Sequence, residues 1–238
     1  MSFDLLAPHY RWMEALLAGE LLQHCRTRWM SEIAPPRRAL LVGEGPGRML
    51  EACVKTWPGC AFTVIDSSSR MIEQARKRWR QQNDKAAVEF IEADLRTWPA
   101  PTGAYDLVVT NFFLDCFAPV ELEWVINKLG AASAPSSAWL VSDFQVPRDG
   151  WRRIRAQIVL ALAYGFFRMA TDITAHRISS PDDGLQSAGF ALQRREYFNF
   201  GLLHADLWRR VAPIKNRDSA ASIRQARHSH RDANATMA

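Results

Sequence analysis

The sequence predicts an α/β fold: a doubly wound, mostly parallel seven-stranded sheet closed by an antiparallel hairpin, with N-terminal helices and a helical cap. Three observations predict it. From residue 38 to 144, short apolar runs alternate with segments of helical period. A glycine-rich turn, Gly43 to Gly47, joins the first run to the helix after it. Two further strand-like runs flank Gly201 and suit a hairpin.

The elements follow in order. Residues 10–33 carry Trp12, Leu16, Leu17, Leu21, Leu22 and Trp29 at helical spacing, and Pro35-Pro36 ends that segment. The run 38–42 (RALLV) is a short buried strand. Residues 47–57 form a helix stopped by Pro58-Gly59, 61–66 a strand and 68–82 a helix. Two strands follow at 87–94 and 105–113. The helix 119–132 begins on Pro119, a favoured first-turn residue, and a fifth strand covers 138–144 after a turn at Pro135-Ser136-Ser137. Strands and helices alternating at this spacing imply a parallel sheet covered on both faces. Beyond 145 the rhythm changes. Residues 150–173 read as one long helical segment with an interruption at Gly165, 181–189 as a short helix ended by Gly189, and the runs around Gly201 as closing strands.

Bulk properties exclude several classes. The chain has 238 residues, is 48% hydrophobic and 23% charged, and so has the balance of a globular protein with a sizeable core. Of its net charge of +5, the segment 213–238 supplies +3 and is expected to be disordered. The remainder lacks the basic stripe of a nucleic-acid binder. Cys25, Cys53, Cys60 and Cys116 have no metal-ligand spacing, and free thiols in a reducing compartment are expected. The start (MSFDLLAPHYRW) lacks a signal-peptide pattern, and the apolar run 158–167 is too short to span a bilayer. The expectation is a cytoplasmic protein with no transmembrane segment and no metal site.

The glycine turn fails both phosphate fingerprints. A Walker loop needs Lys and then Ser or Thr, but Arg48-Met49 follow Gly47. The dinucleotide motif needs glycine at its sixth position, which is Arg48. The spacing is instead G-x-G-x-G. Asp66 ends the second strand, 19 residues after Gly47. A carboxylate there suits a pair of ribose hydroxyls. It also suits a helix N-cap, a task open equally to Ser67 or Ser68. Asp94-Leu95 follow the third strand, and Asn111-Phe112 leave the fourth.

Together these motifs resemble the class I S-adenosylmethionine-dependent methyltransferases, closely over about residues 36–145 and more loosely over 1–35 and 146–212. Within that superfamily the chain is similar to the small-molecule enzymes related to the ubiquinone and menaquinone C-methyltransferases. The resemblance implies a Rossmann-like core that binds S-adenosylmethionine and releases S-adenosylhomocysteine. It implies that Gly43, Glu44, Gly45 and Gly47 lie along the methionine part, that Asp66 and Ser67 meet the ribose, that Asp94 and Leu95 meet the adenine with Met71 on its other face, and that Asn111 and Phe112 flank the methionine tail. Phe113 or Phe117 would be core. Two departures stand out: Leu41 replaces the acid common two residues before the first glycine, with Glu44 the nearest substitute, and Pro135-Ser136-Ser137 replaces a Pro-Gly-Gly.

Methyl transfer from a sulfonium needs positioning and exclusion of water, and a base only where the acceptor must lose a proton. No triad is therefore expected. The N-terminal FDLLAPHYRW resembles a segment whose Tyr lies over the cofactor, which makes Tyr10 and its neighbour His9 candidates; Asp115, just past the fourth strand, is a third, and His204 lies farther off. Each has an ordinary structural use as well. Phe144, Trp151, Tyr164, Phe166 and Phe167 would line a pocket for a small, partly hydrophobic acceptor, with Arg152, Arg153 and Arg155 beside it. The expected organisation is a helical cap over 1–35, the cofactor-binding core over 36–145, a helical insertion over 146–180, a closing helix and hairpin over 181–212, and the tail 213–238. The expected partner is a small-molecule acceptor, with no nucleic acid, and the chain a monomer or homodimer. The alternative is a protein of this fold that binds cofactor or regulates a partner without catalysis of its own.

Overall fold

A computed structural model describes residues 19–82, 86–147, 150–170 and 179–211. Seven strands form one sheet: β1 (Arg38–Val42), β2 (Ala61–Asp66), β3 (Val88–Glu92), β4 (Tyr105–Asn111), β5 (Ser133–Phe144), β6 (Phe190–Phe198) and β7 (Leu203–Arg210), in the spatial order β3-β2-β1-β4-β5-β7-β6. The first five run parallel; β7 is inserted antiparallel between β5 and β6. Six helices accompany them: α1 (Gly19–Thr27), α2 (Arg48–Thr56), α3 (Ser69–Gln81), α4 (Pro119–Ala132), α5 (Gly150–Ala170) and α6 (Asp182–Ser187).

The central strands are apolar on both faces because both are covered. Leu41, Val64, Leu107 and Leu140 enter one cluster with Leu22, Leu50 and Ile72 from α1, α2 and α3. Leu40, Ile65, Val108 and Val141 enter the other with Leu122, Ile126 and Leu185 from α4 and α6. The chain reverses its winding between β1 and β4, so the loops at their carboxyl ends diverge and leave a crevice, where open α/β sheets bind ligands.

Several sequence expectations are revised. Pro135-Ser136-Ser137 is not a turn before the fifth strand but part of β5, whose register slips between the Tyr105–Ser133 and Leu107–Ala138 pairs. The extra residues make a bulge, with Pro135 and Ser136 pushed into solvent. Gly165 does not interrupt α5, since the backbone is helical through Ala170. The fourth strand ends at Asn111 rather than 113, because Phe112 turns to φ 54°. The N-terminal helical pattern from residue 10 lies partly outside the described residues; within them it is α1 and a 3₁₀ turn, Met30–Glu32. The tail 213–238 is also outside them.

Candidate active site

The glycine turn follows β1 at the crevice, and its three glycines have different physical reasons. All take positive φ: 62° at Gly43, 63° at Gly45 and 86° at Gly47. A Cβ on Gly43 would collide with the ring of Phe113. A Cβ on Gly47 would come within 2.8 Å of Ala75 Cα, so Gly47 lets α2 and α3 cross closely. A Cβ on Gly45 would meet nothing within 4 Å. Gly45 alone of the three faces open space, as a floor for a ligand requires.

Asp66 ties this turn to the next helix. Its Oδ2 accepts from Gly45 N at 3.0 Å and its Oδ1 from Ser68 N at 2.9 Å. The N-cap of α3 is Ser68, whose Oγ accepts from Met71 N at 3.2 Å. Asp66 is therefore not the helix cap, and its half-buried carboxylate stands at the end of β2 beside the open turn. Ser67 is exposed between them, and Met71 is buried in the first turn of α3.

Glu44 takes a structural part. Its Oε1 accepts from Met49 N at 2.8 Å and Leu50 N at 2.9 Å, so it caps the start of α2 from inside the turn. Burial pushes its carboxyl up to about 7, against these hydrogen bonds and the Arg26 field, which lower it. Leu41, where the resemblance leads one to expect an acid, is fully buried in the apolar cluster. The carboxylate under the turn thus comes from Glu44 and not from β1.

Asp94 is engaged by its own loop. Arg96 donates to it from its backbone N at 2.9 Å and from Nε and Nη2 at 2.5–3.0 Å, and these bonds hold the Asp94 carboxyl below its usual range. Leu95 is buried on the α4 side of the sheet, outside the cluster of α1, α2 and α3. An adenine amino group at Asp94 would compete with Arg96.

The exit of β4 completes the crevice. Both polar atoms of the Asn111 side chain, Oδ1 and Nδ2, are buried and have no partner among the described residues. Phe112 N donates to Ser142 O at 2.6 Å, and Phe113 N to Asp143 Oδ1 at 3.1 Å, which together fix the unusual φ of Phe112. Phe112 packs on Phe144, their centroids 5.2 Å apart. Phe113 meets Phe117 edge-on and covers Gly43. Asp115 is buried in the 3₁₀ turn Leu114–Cys116. Burial first, and then the neighbouring Asp115, raise the Asp143 carboxyl well above its ordinary value. His204 is buried with Nδ1 3.1 Å from Asp206 Oδ2, and belongs to the β5–β7 contact. Tyr10 and His9 lie outside the described residues.

Residues 39–136 match the family model described as a methyltransferase domain. Over those residues the chain is similar to a methyltransferase domain. Trans-aconitate 2-methyltransferase of Rhodopseudomonas palustris (strain BisA53) is 37% identical over 101 residues, 42% of this chain and 32% of that one. Malonyl-[acyl-carrier protein] O-methyltransferase of Legionella pneumophila is 37% identical over 78 residues, 32% and 26% of the two chains. The matched segments span about a quarter to a third of each relative's length. The crystal structure of magnesium protoporphyrin IX methyltransferase from Synechocystis PCC 6803 with bound SAH superposes with a TM-score of 0.60 at 18% identity, covering 81% of this chain and 83% of that one. The seven-stranded order and closing hairpin are those of the class I, Rossmann-like methyltransferase fold.

Gly43, Gly45, Gly47, Asp66, Asn111 and Phe112 gather on one sheet edge, and Asp94 sits on the same edge one strand beyond. A residue not foreseen there is Arg26, buried on α1 over the Phe112 ring, 5.0 Å from its centroid. Its signal is legible in retrospect: it interrupts the apolar stripe Leu22, Cys25, Trp29 at helical spacing. Among the described residues no group of three or more His, Cys, Asp or Glu is arranged to hold a metal, and no helix is long and apolar enough to cross a membrane.

Proposed function

We propose that the chain transfers a methyl group from S-adenosylmethionine to a small molecule. The observation that carries this is one crevice with three features: the open floor at Gly45, the carboxylate of Asp66, and the unpartnered Asn111 amide. Buried amide groups without partners are rare and costly, and a ligand with polar atoms relieves that cost. The glycine backbone and Asn111 would hold the methionine part, Asp66 the ribose hydroxyls, and Met71 with Leu95 the adenine. When bound, S-adenosylmethionine supplies a methyl group already activated on a sulfonium sulfur. The protein's share is then to orient the acceptor and keep water out.

For an acceptor that must lose a proton, Asp115 is our candidate among the described residues. It is buried at the β4 exit, beside Cys116 Sγ at 3.6 Å and Asp143. Tyr10 and His9 are the candidates from the N-terminal segment. We read 1–35 and 146–180 as covers of the acceptor pocket around the core 36–145, with 181–212 closing the sheet. The acceptor is small and partly hydrophobic, given Phe144 and the apolar start of α5 (Trp151, Ile154, Ile158). The two relatives are named for acids as acceptors, which suits the Arg-rich start of α5 equally. We read the protein as cytoplasmic, a monomer or homodimer, without a nucleic-acid partner.

Calorimetric titration with S-adenosylhomocysteine tests the proposal. The wild-type chain should bind it, and Asp66→Ala should weaken binding by about tenfold or more, since hydrogen bonds to a charged group are being removed. No binding by the wild-type chain would sink the reading. One observation favours a second reading, a cofactor-binding protein without catalysis: the acid-to-Leu41 change leaves apolar packing at the base of the turn. Binding without turnover over a broad panel of acceptors would favour it.

A further inference from the structure

The geometry points to the start of α5 and the tip of the closing hairpin as one face that docks on an anionic lipid surface, an inference that stands apart from the methyl-transfer reading. Trp151, Ile154 and Ile158 recur along one side of α5 at helical spacing and are 58%, 61% and 56% exposed. Phe200, at the hairpin tip, is 58% exposed, and its ring centroid lies 5.4 Å from that of Trp151. Trp151, Ile154, Arg155, Ile158 and Val159 line a shallow hollow of about 300 Å³. Apolar side chains scattered singly on a surface need no explanation; a contiguous group of four does. The tip is also strained. Asn199 and Phe200 hold φ of 50° and 58°, in the left-handed region that a bulky residue seldom takes. Arg155 maintains this: its Nη2 donates to Asn199 Oδ1 at 2.8 Å, its Nη1 to Asn199 O at 3.4 Å, and its guanidinium lies 5.2 Å from the Phe200 ring centroid. The strain holds an aromatic ring out towards solvent, which points to a use for that ring outside the fold.

Charge selects the occupant. α5 holds Arg152, Arg153 and Arg155 in its first two turns and has no Asp or Glu along its length. Arg152 and Arg153 are exposed beside Trp151 and Ile154. A helix that sets exposed Trp and Ile next to Arg, without acids, suits the boundary of a bilayer. There the rings and aliphatic chains enter the headgroup layer and the guanidinium groups meet lipid phosphates. A second copy of the chain suits this face less well, since a two-fold contact would bring like charges together. The placement agrees. β7 runs antiparallel to β5 from Leu203, which lies opposite Phe144. The tip Asn199–Gly201 and the start of α5 therefore stand on the sheet edge that carries the crevice. Docking on this face turns the crevice towards the lipid.

Co-sedimentation of the full chain with vesicles tests the inference, using phosphatidylcholine alone and phosphatidylcholine mixed with phosphatidylglycerol. The wild-type chain should bind the mixed vesicles at least about tenfold more tightly than the neutral ones, and added salt should weaken that binding. Arg152→Gln combined with Arg153→Gln should lose about tenfold or more on the mixed vesicles. Ile154→Asp should lose a similar factor. Phe200→Gly separates docking from folding. It relieves the φ of 58° and so should melt no earlier than the wild type, yet it should bind the mixed vesicles about tenfold more weakly. A wild-type chain that ignores the mixed vesicles overturns the inference. So does wild-type binding by all these variants, which would move the contact to another part of the chain, such as the basic segment 213–238. A wild-type dimer that Ile154→Asp splits in the absence of lipid overturns it as well, because a second copy then covers the face. Each of these outcomes leaves S-adenosylhomocysteine binding, and the reading that depends on it, untouched.

Discussion

At the residue scale, the crevice holds groups whose surroundings disfavour the ligand-free protein. The Asn111 amide has two buried polar atoms without partners among the described residues. An apolar residue of similar shape should relieve that cost. Asn111→Leu is therefore expected to stabilise the ligand-free chain by about 1 kcal/mol, a rise in Tm of about 2–4 °C, and to weaken S-adenosylhomocysteine binding by about tenfold. Calorimetric melts and titrations check both halves. Glu44 gives a pH signature. Its folded value near 7 lies above the ordinary 4.5, so the folded chain holds the proton that the unfolded chain has released between those values. The contribution of Glu44 to stability must therefore fall as pH rises through that window. Glu44→Gln, which keeps an acceptor for Met49 and Leu50 N–H, should flatten the fall in Tm between pH 5 and 8. The unchanged slope would show that the carboxyl ionises normally. Sequence alone locates Glu44 in the turn but not its partners, because those lie on the helix it caps from within.

At the element scale, the turn Gly43–Gly47 joins two tasks that one motif hides. Gly47 serves helix packing and Gly45 serves the open floor. Gly47→Ala must strain a φ of 86° and push Ala75 away, at a cost of roughly 2 kcal/mol or more. Gly45→Ala strains a similar φ but collides with nothing, at about 1 kcal/mol. The expected outcome is an inversion. Gly47→Ala lowers Tm more, and Gly45→Ala lowers affinity for S-adenosylhomocysteine more. Equal effects on both measurements would show that the two glycines share one task. The strands β1, β2 and β4 and the helices α3 and α4 are legible from apolar period and punctuation to within a residue or two. The bulge in β5 is not, since Pro135-Ser136-Ser137 carries turn chemistry that pairing with β4 overrides.

At the scale of the whole molecule, a charge cluster around the buried Asp206 ties the two strands of the closing hairpin to each other and to α6. Arg195 on β6 binds Asp206 on β7 at 2.6–2.8 Å and Asp182 at the start of α6 at 2.8–2.9 Å. Burial by itself would raise the Asp206 carboxyl; Arg195 and His204 outweigh it and hold it below its usual range. Removing Arg195 strands a carboxylate with no solvent access. Arg195→Met should therefore destabilise the fold by about 3 to 5 kcal/mol in urea unfolding, while Asp206→Asn combined with it recovers part of the loss. The alternation of strands and helices and the glycine spacing were enough, in the sequence by itself, to determine a doubly wound sheet and to single out the edge where we propose a ligand. Both are local properties: apolar period and backbone freedom act within a few residues. Tertiary structure alone decided that β7 enters between β5 and β6, that Glu44 points inward, that Asp94 pairs with Arg96, and that Arg26 faces the crevice from α1. The placing of β7 and α1 joins residues 176 positions apart, as in Trp29 and Ala205; Glu44 and Asp94 meet near neighbours, but the burial and orientation that select those partners exist only once the layers have packed.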